Sequence, residues 1–322
     1  MKDNIVEFLE DIGIQYQLNV SLREKTWIHS GGKVNYWFIP DSKSKIVALH
    51  LYLINRSNSF EIVGNTSNIY FKNSYNTNCI ISTLKLNKIT LSKEIAECES
   101  GVNLTFFANK MTKLGYKGFS GLCGIPGTVG GAIYNNSSAF GYSLSEMLDH
   151  IDFISDKGNI IKLYPDDLCF ERRSSILKKG DLKGTILSVY IKLVRAKNKD
   201  SILKEMEEYT RKRKENLEGY KNNLGSIFYQ CSPKKKNIRL MMAGIIVEIL
   251  YRLHLIKGKG YIFKLVILTL YGEISLCNYI SNKTFLNTFI WRDTKAEIKF
   301  ERYINFMMNI FDDLKMEIEI KE

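Results

Sequence analysis

Between Gly118 and Gly141 the chain reads GFSGLCGIPGTVGGAIYNNSSAFG, seven glycines in 24 residues with one of the chain's four prolines. Glycine carries an entropic cost, so this density marks backbone that adopts positive φ or comes close to another group. Pro126 fixes one bend between Ile125 and Gly127. Such a segment exposes a row of N–H groups, and a row of N–H groups forms a nest for phosphate oxygens. A glycine-rich turn with no ligand is the competing account. Two other features bear on chemistry. Arg211-Lys212-Arg213-Lys214 closes a predicted helix, where cations favour the dipole and, less specifically, suit a phosphate. His29 stands alone, and a lone histidine is more often structural than catalytic.

The elements that position these residues follow from periodicity. Ile5, Phe8, Leu9 and Ile12 take the spacing of a short amphipathic helix closed by Gly13. Val34, Tyr36 and Phe38 alternate as a strand. Residues 43–56 are helical through Ile46, Val47, Leu49 and Leu53, and residues 60–71 give a strand, a turn and a strand. Leu104, Phe107, Ala108, Met111 and Leu114 recur as the core stripe of a helix, with Asn103 as N-cap and Gly115 after its end. This helix delivers the chain into the glycine-rich segment. His150 to Leu163 reads as a hairpin turning at 156–159, and Leu187, Val189, Ile191 and Leu193 as a half-buried strand. Asp200 to Leu217 is a long helix with Asp200 or Ser201 near its cap. Tyr303, Phe306, Met307 and Ile310 mark a last amphipathic helix.

Composition bounds the rest. The chain has 322 residues, 45% hydrophobic and 25% charged, the ordinary globular mixture and enough for two or three domains. The acidic, amphipathic N-terminus is unlike a signal peptide, and no apolar run approaches the roughly 18 residues of a membrane span. Six scattered cysteines without a C-x-x-C pair speak against a disulfide framework or zinc site and suit a reducing cytoplasm. The net charge of +12 comes from lysines spread along the whole chain. It fits anionic partners or simply a lysine-rich background, and no aromatic-plus-basic motif points to nucleic acid.

Several stretches also carry a family resemblance. GIPGTVGGA, from Gly124 to Ala132, followed by Asn136 and Ala139-Phe140-Gly141, resembles the flavin-binding signature of the UDP-N-acetylenolpyruvoylglucosamine reductases. Those are flavoproteins with the FAD-binding fold of the vanillyl-alcohol-oxidase type. Thr26 followed by Gly31-Gly32 is similar to the opening of their FAD domain, with Val34 in place of an alanine. FEIVGNTSNIYF resembles their G-x-G-S-N turn under the FAD diphosphate: Gly64, Ser67 and Asn68 match, Asn65 takes the variable place, and Thr66 stands at the second glycine. There the threonine either crowds the phosphates or donates a hydrogen bond to them. DDLCFERRSSILK is similar to F-x-Y-R-x-S-x-F, placing Arg173 on the catalytic arginine and Ser175 on its serine. LGSIFYQC resembles G-S-x-F-x-N-P and singles out Ser226. Leu314 to Ile318 resembles L-x-x-E-V and singles out Glu317, with Glu319 as the register alternative.

The resemblance covers most of residues 20–230 and a short piece near the end. It implies an α+β fold: an FAD-binding domain of the vanillyl-alcohol-oxidase (PCMH) type in two subdomains, plus a smaller C-terminal α+β substrate domain. The expected division is an N-terminal helix over 1–19, the FAD domain over 20–196 and the substrate domain over 197–322. FAD contacts are expected at Gly31, Gly32, Gly64, Asn65, Thr66, Ser67, Asn68, Gly124, Ile125, Pro126, Gly127, Thr128, Gly130, Gly131 and Asn136. The implied activity uses NADPH and non-covalent FAD to reduce UDP-N-acetylglucosamine enolpyruvate to UDP-N-acetylmuramate, a cell-wall precursor, with Arg173, Ser226 and Glu317 as catalytic residues. The implied protein is a cytoplasmic monomer with a small-molecule substrate and no nucleic-acid or membrane partner. A catalytically impaired or repurposed FAD-binding homologue is the alternative, because the turn at Thr66 is altered and residues 260–291 show no family order. In that stretch Leu265 to Leu270 would be aggregation-prone if exposed.

Overall fold

The computed structural model of the chain describes residues 2–219, 222–233, 237–256 and 258–322. Along the chain come α1 (Lys2–Asp11), β1 (Gln15–Ser21), β2 (Lys33–Ile39), α2 (Lys43–Asn55), β3 (Phe60–Val63), β4 (Ile69–Phe71), β5 (Asn76–Ser82), β6 (Ile89–Leu91) and β7 (Ile95–Glu99). Then follow α3 (Leu104–Lys113), α4 (Val129–Tyr134), the short strands β8 (Ser138–Ala139) and β9 (Tyr142–Ser143), β10 (Leu148–Ser155), β11 (Ile160–Leu163), α5 (Ile176–Lys179), β12 (Gly184–Lys192) and α6 (Lys199–Asn216). The last part holds β13 (Phe228–Pro233), α7 (Ile238–Arg252), α8 (Lys259–Leu270), α9 (Ala296–Ile310), β14 (Phe311–Met316) and β15 (Glu319–Lys321).

The chain divides into two compact units. The first holds residues 1–26, 31–66 and 75–211; the second holds 27–30, 67–74 and 212–322. The division differs from the three segments expected above. α1 does not stand apart, because Ile5 and Leu9 are buried in one core with Leu49 and Leu53 of α2. The boundary expected at 196 falls at Arg211, inside α6, and two short early segments belong to the second unit.

The first unit contains two sheets. One has the order β1-β2-β5-β3, with β1 antiparallel to β2 and the other neighbours parallel. The other, β11-β10-β12-β7-β6, is antiparallel throughout. Its central strand β12 is buried continuously from Thr185 to Val189 rather than on one face. Leu187 joins the core with α1 and α2, while Val189 and Ile191 join the core with α3 and α4. A strand covered on both faces loses its polar alternation.

Local stop and start signals behave as chemistry dictates. Asn103 accepts from the Phe106 N–H at 2.8 Å to cap α3, and Gly115 follows its end with φ +88°. At α6 the cap is Asn198 rather than Asp200 or Ser201: its Oδ1 accepts from the N–H groups of Asp200 and Ser201 at 2.9 and 3.2 Å.

In the second unit β13 pairs antiparallel with β14 and β4 pairs parallel with β15. The stretch without family order is folded. α8 buries Ile267 and Leu268, and Leu276, Ile280, Leu286, Phe289 and Trp291 complete a core with Phe300, Tyr303 and Ile310 of α9. Leu265 to Leu270 is thus helical and packed by its Ile267–Leu268 side. No helix among the described residues is long and apolar enough to cross a membrane.

Candidate active site

The glycine-rich segment is seated by its own amides. The N–H groups of Val129, Gly130 and Ala132 donate to Val102, Ser100 and Thr128 carbonyls at 2.8–2.9 Å, and that of Gly131 to Thr128 Oγ1 at 3.1 Å. The Ile125 N–H donates to the Leu122 carbonyl at 3.1 Å. The expected nest of successive N–H groups therefore does not run through these five residues, because their donors fasten the segment to the fold. Gly130 has a packing role: a Cβ there would lie 2.8 Å from Ser100 Cβ. What faces outward is the half-buried bend Gly124–Gly127, where Gly124 and Gly127 take φ of +92° and +131°. Thr105 holds this bend by donating from Oγ1 to the Ile125 carbonyl at 2.7 Å.

The turn after β3 is built against that segment. Gly64 lies so close to Thr128 that a Cβ would come within 2.7 Å of its Oγ1. Thr66 has φ +53° and is buried. A β-branched residue in the left-handed region is a genuine outlier, so the turn keeps a glycine-like backbone in spite of its side chain. Gly31 likewise has φ +114°, and the Gly32 carbonyl accepts from the Leu22 N–H at 2.9 Å.

Arg173 sits at the tip of a two-residue turn. Glu171 and Ser174 exchange both backbone hydrogen bonds around Arg172-Arg173, and Arg173 has φ +59°. Two bonds dock this turn on the glycine-rich segment: Asn136 Nδ2 donates to the Glu171 carbonyl at 2.8 Å and Ser175 Oγ to the Tyr134 carbonyl at 2.7 Å. Asn136 Oδ1 accepts from Ser145 Oγ at 2.7 Å. Asn136, expected beside the cofactor, thus carries the arginine turn, and Ser175 is the buried N-cap of α5.

In the second unit Glu317 pairs with the backbone that follows Ser226. The Glu317 N–H donates to the carbonyl of Ile227 at 2.8 Å, continuing the β13–β14 ladder past Phe228 and Met316. Asn68 binds the same strand end: its Nδ2 donates to the Glu317 carbonyl at 3.1 Å and its own carbonyl accepts from the Glu319 N–H at 2.9 Å. The Glu319 carboxylate pairs with Lys321 at 2.8 Å. Two positioning residues escaped sequence reading. Asn287 copies a strand edge beside β13, accepting from the Phe228 N–H at 2.9 Å and donating to its carbonyl at 2.8 Å. Asn223 Oδ1 accepts from the Gly225 N–H at 3.0 Å, which supports the turn before Ser226. Both are single amides in runs without periodicity, so their only signal was residue type.

These features fit a dinucleotide: a half-buried bend with two left-handed glycines, a segment seated tightly enough that Gly64 and Gly130 admit no side chain, and a glycine-like conformation kept at Thr66. The family model described as FAD binding domain matches residues 35–164, so the first unit is of the FAD-binding class. The UDP-N-acetylenolpyruvoylglucosamine reductase of Carboxydothermus hydrogenoformans is 31% identical over 212 residues, covering 65% of this chain and 69% of that protein. That of Caldicellulosiruptor bescii is 28% identical over 222 residues, covering 69% and 70%. The crystal structure of the corresponding reductase (MurB) from Thermus caldophilus superposes with a TM-score of 0.68 at 18% identity, over 96% of this chain and 100% of that one. The chain belongs to the UDP-N-acetylenolpyruvoylglucosamine reductase family, and its fold is the α+β FAD-binding fold.

Proposed function

We propose that the protein reduces UDP-N-acetylglucosamine enolpyruvate to UDP-N-acetylmuramate with NADPH, in peptidoglycan precursor synthesis, from within the cytoplasm. The observation that carries this reading is the pairing of Glu317 with the Ser226 segment, in a chain whose other unit holds the glycine-rich bend and the docked arginine turn. FAD, when bound, would supply the hydride chemistry between NADPH and the substrate. The glycine bend Gly124–Gly127 and the turn Gly64–Asn68 bind the cofactor without a covalent link.

The reduction adds one hydride and one proton across the enolpyruvyl double bond. Hydride arriving at the vinyl methylene leaves negative charge on the neighbouring carbon and its carboxylate. Arg173 grips that carboxylate and stabilises the charge; a guanidinium does this bidentately and stays protonated. Ser226 gives its hydroxyl proton to the carbanionic carbon. Glu317, on the adjoining strand, orients this step. Acid help of this kind is worth roughly 10² to 10⁴ in rate.

Stopped-flow absorbance of the flavin band tests the assignment. Ser226→Ala is expected to leave reduction by NADPH intact and to slow reoxidation by the enol substrate by about 10² or more. Equal loss of both half-reactions would refute the proton-donor role. Protein that is colourless and cannot be reconstituted with FAD would refute the whole reading.

A further inference from the structure

The two ends of the glycine-rich segment meet on one carboxylate that the chemistry above does not use. Ser120, just inside its start, donates to Glu205 Oε2 of α6, and Tyr142, just past its end, donates to Oε1 at 2.7 Å. Tyr209, one turn along α6, donates to the same Oε1 at 3.1 Å. The surroundings are built to hold this arrangement. Ser120 is buried, and Gly121 is bare where a Cβ would come within 2.4 Å of the Tyr142 ring. Phe140 stacks on Tyr209 with ring centres 4.4 Å apart. Burial, and then the bond to Glu205, raises both phenols, that of Tyr209 to about 12, so each remains a donor. Met206 packs α6 on the core beneath the segment. A carboxylate that accepts hydroxyls from both ends of the segment, and is itself steadied by Tyr209 of its own helix, fixes the separation of those ends.

We propose that Glu205 is a positioning residue for cofactor binding: it clamps the glycine-rich segment at both ends, so that the bend Gly124–Gly127 keeps its left-handed form before FAD arrives. This rests on FAD being the ligand of that bend. Preorganisation of this kind lowers the cost of binding rather than adding a contact to the ligand.

The test compares FAD affinity, by flavin fluorescence, with the melting temperature of the flavin-free protein. Glu205→Ala is expected to raise the Kd for FAD about tenfold or more, with turnover at saturating FAD unchanged. Ser120→Ala and Tyr142→Phe each weaken binding by less, and add nothing once Glu205 is alanine. Glu205→Gln keeps an acceptor and recovers most of the affinity. The control is Tyr190→Phe, which removes another phenol–carboxylate bond of this unit, 2.8 Å to Asp152. It is expected to leave FAD affinity within about twofold of the wild type. An unchanged Kd in Glu205→Ala, or equal weakening in the control, would overturn the proposal. Should Glu205→Ala not fold, Ser120→Ala and Tyr142→Phe decide by the same comparison. A wild-type protein that binds no FAD would instead sink the functional reading, a separate result.

Discussion

Replacing Thr66 by glycine and by alanine isolates the strain at the Gly64–Asn68 turn. With φ +53° a β-branched residue there costs about 1–2 kcal/mol, relieved only by glycine. Glycine brings an entropic cost of about 0.5–1 kcal/mol relative to alanine, and either substitution forfeits about 0.8 kcal/mol of buried methyl. For Thr66→Gly these terms nearly cancel, so stability should stay within about 1 kcal/mol of the wild type. Thr66→Ala keeps the strain and loses the methyl. The result is an inverted order: the glycine variant is more stable than the alanine variant by up to about 1 kcal/mol, where an ordinary buried site favours alanine. Urea unfolding of the flavin-free variants reads this directly, and the melting temperatures should differ by up to about 2 °C. An alanine variant equal to or more stable than the glycine variant would show that position 66 is not held in the left-handed region. FAD titration of the same pair then separates the two roles open to the threonine. Tighter binding by the glycine variant means that the side chain crowds the phosphates, and weaker binding means that its hydroxyl serves them.

Three further outcomes follow from particular contacts. His50 is buried, with Nε2 donating to the Ser155 carbonyl and Nδ1 on Thr185 Oγ1, both at 3.1 Å. Burial, which outweighs the bond to Ser155, lowers its pKa, so its contribution is present above the unfolded value near 6.5 and is lost as pH falls towards the lower folded value. The melting temperature should drop on acidification through that window, and His50→Gln should flatten that part of the profile. Gly130→Ala should cost about 1–3 kcal/mol, because its Cβ meets the Ser100 backbone oxygen at 2.9 Å, whereas Gly131→Ala, facing only Thr128 Oγ1 at 3.3 Å, should cost clearly less in the same unfolding assay. Glu317→Gln should slow flavin reoxidation by the enol substrate far more than Glu319→Gln, since Glu317 adjoins the Ser226 segment and Glu319 is paired with Lys321; the reverse order in stopped flow would move the role to Glu319.

Much of the site was written locally. A glycine-rich bend, a cap at Asn103 and a terminator at Gly115 are demands that a few neighbouring residues place on φ or on one N–H, so their residue types announce them. Amphipathic periods behave the same way: the stripe from Leu104 to Met111 is buried because its spacing permits one face only, although Leu114, expected as its last member, is exposed at the helix end. The resemblance added the family to these local signals, and the relatives bear that out.

What each side chain binds was settled by the tertiary structure. Asn136 reaches Glu171, Asn287 reaches Phe228, and Ser120 reaches Glu205, partners 35, 59 and 85 residues apart. Hydrogen bonds over such separations depend on where two elements come to rest, and no local pattern encodes that. For the same reason β12 lost its alternation to two cores, the expected nest lost the donors of Ile125, Val129, Gly130, Gly131 and Ala132 when those amides found acceptors, and the stretch from 260 to 291 gained a core that its own sequence did not announce. The chain's local chemistry determined which backbone must bend; packing decided which partners the polar atoms around that bend take.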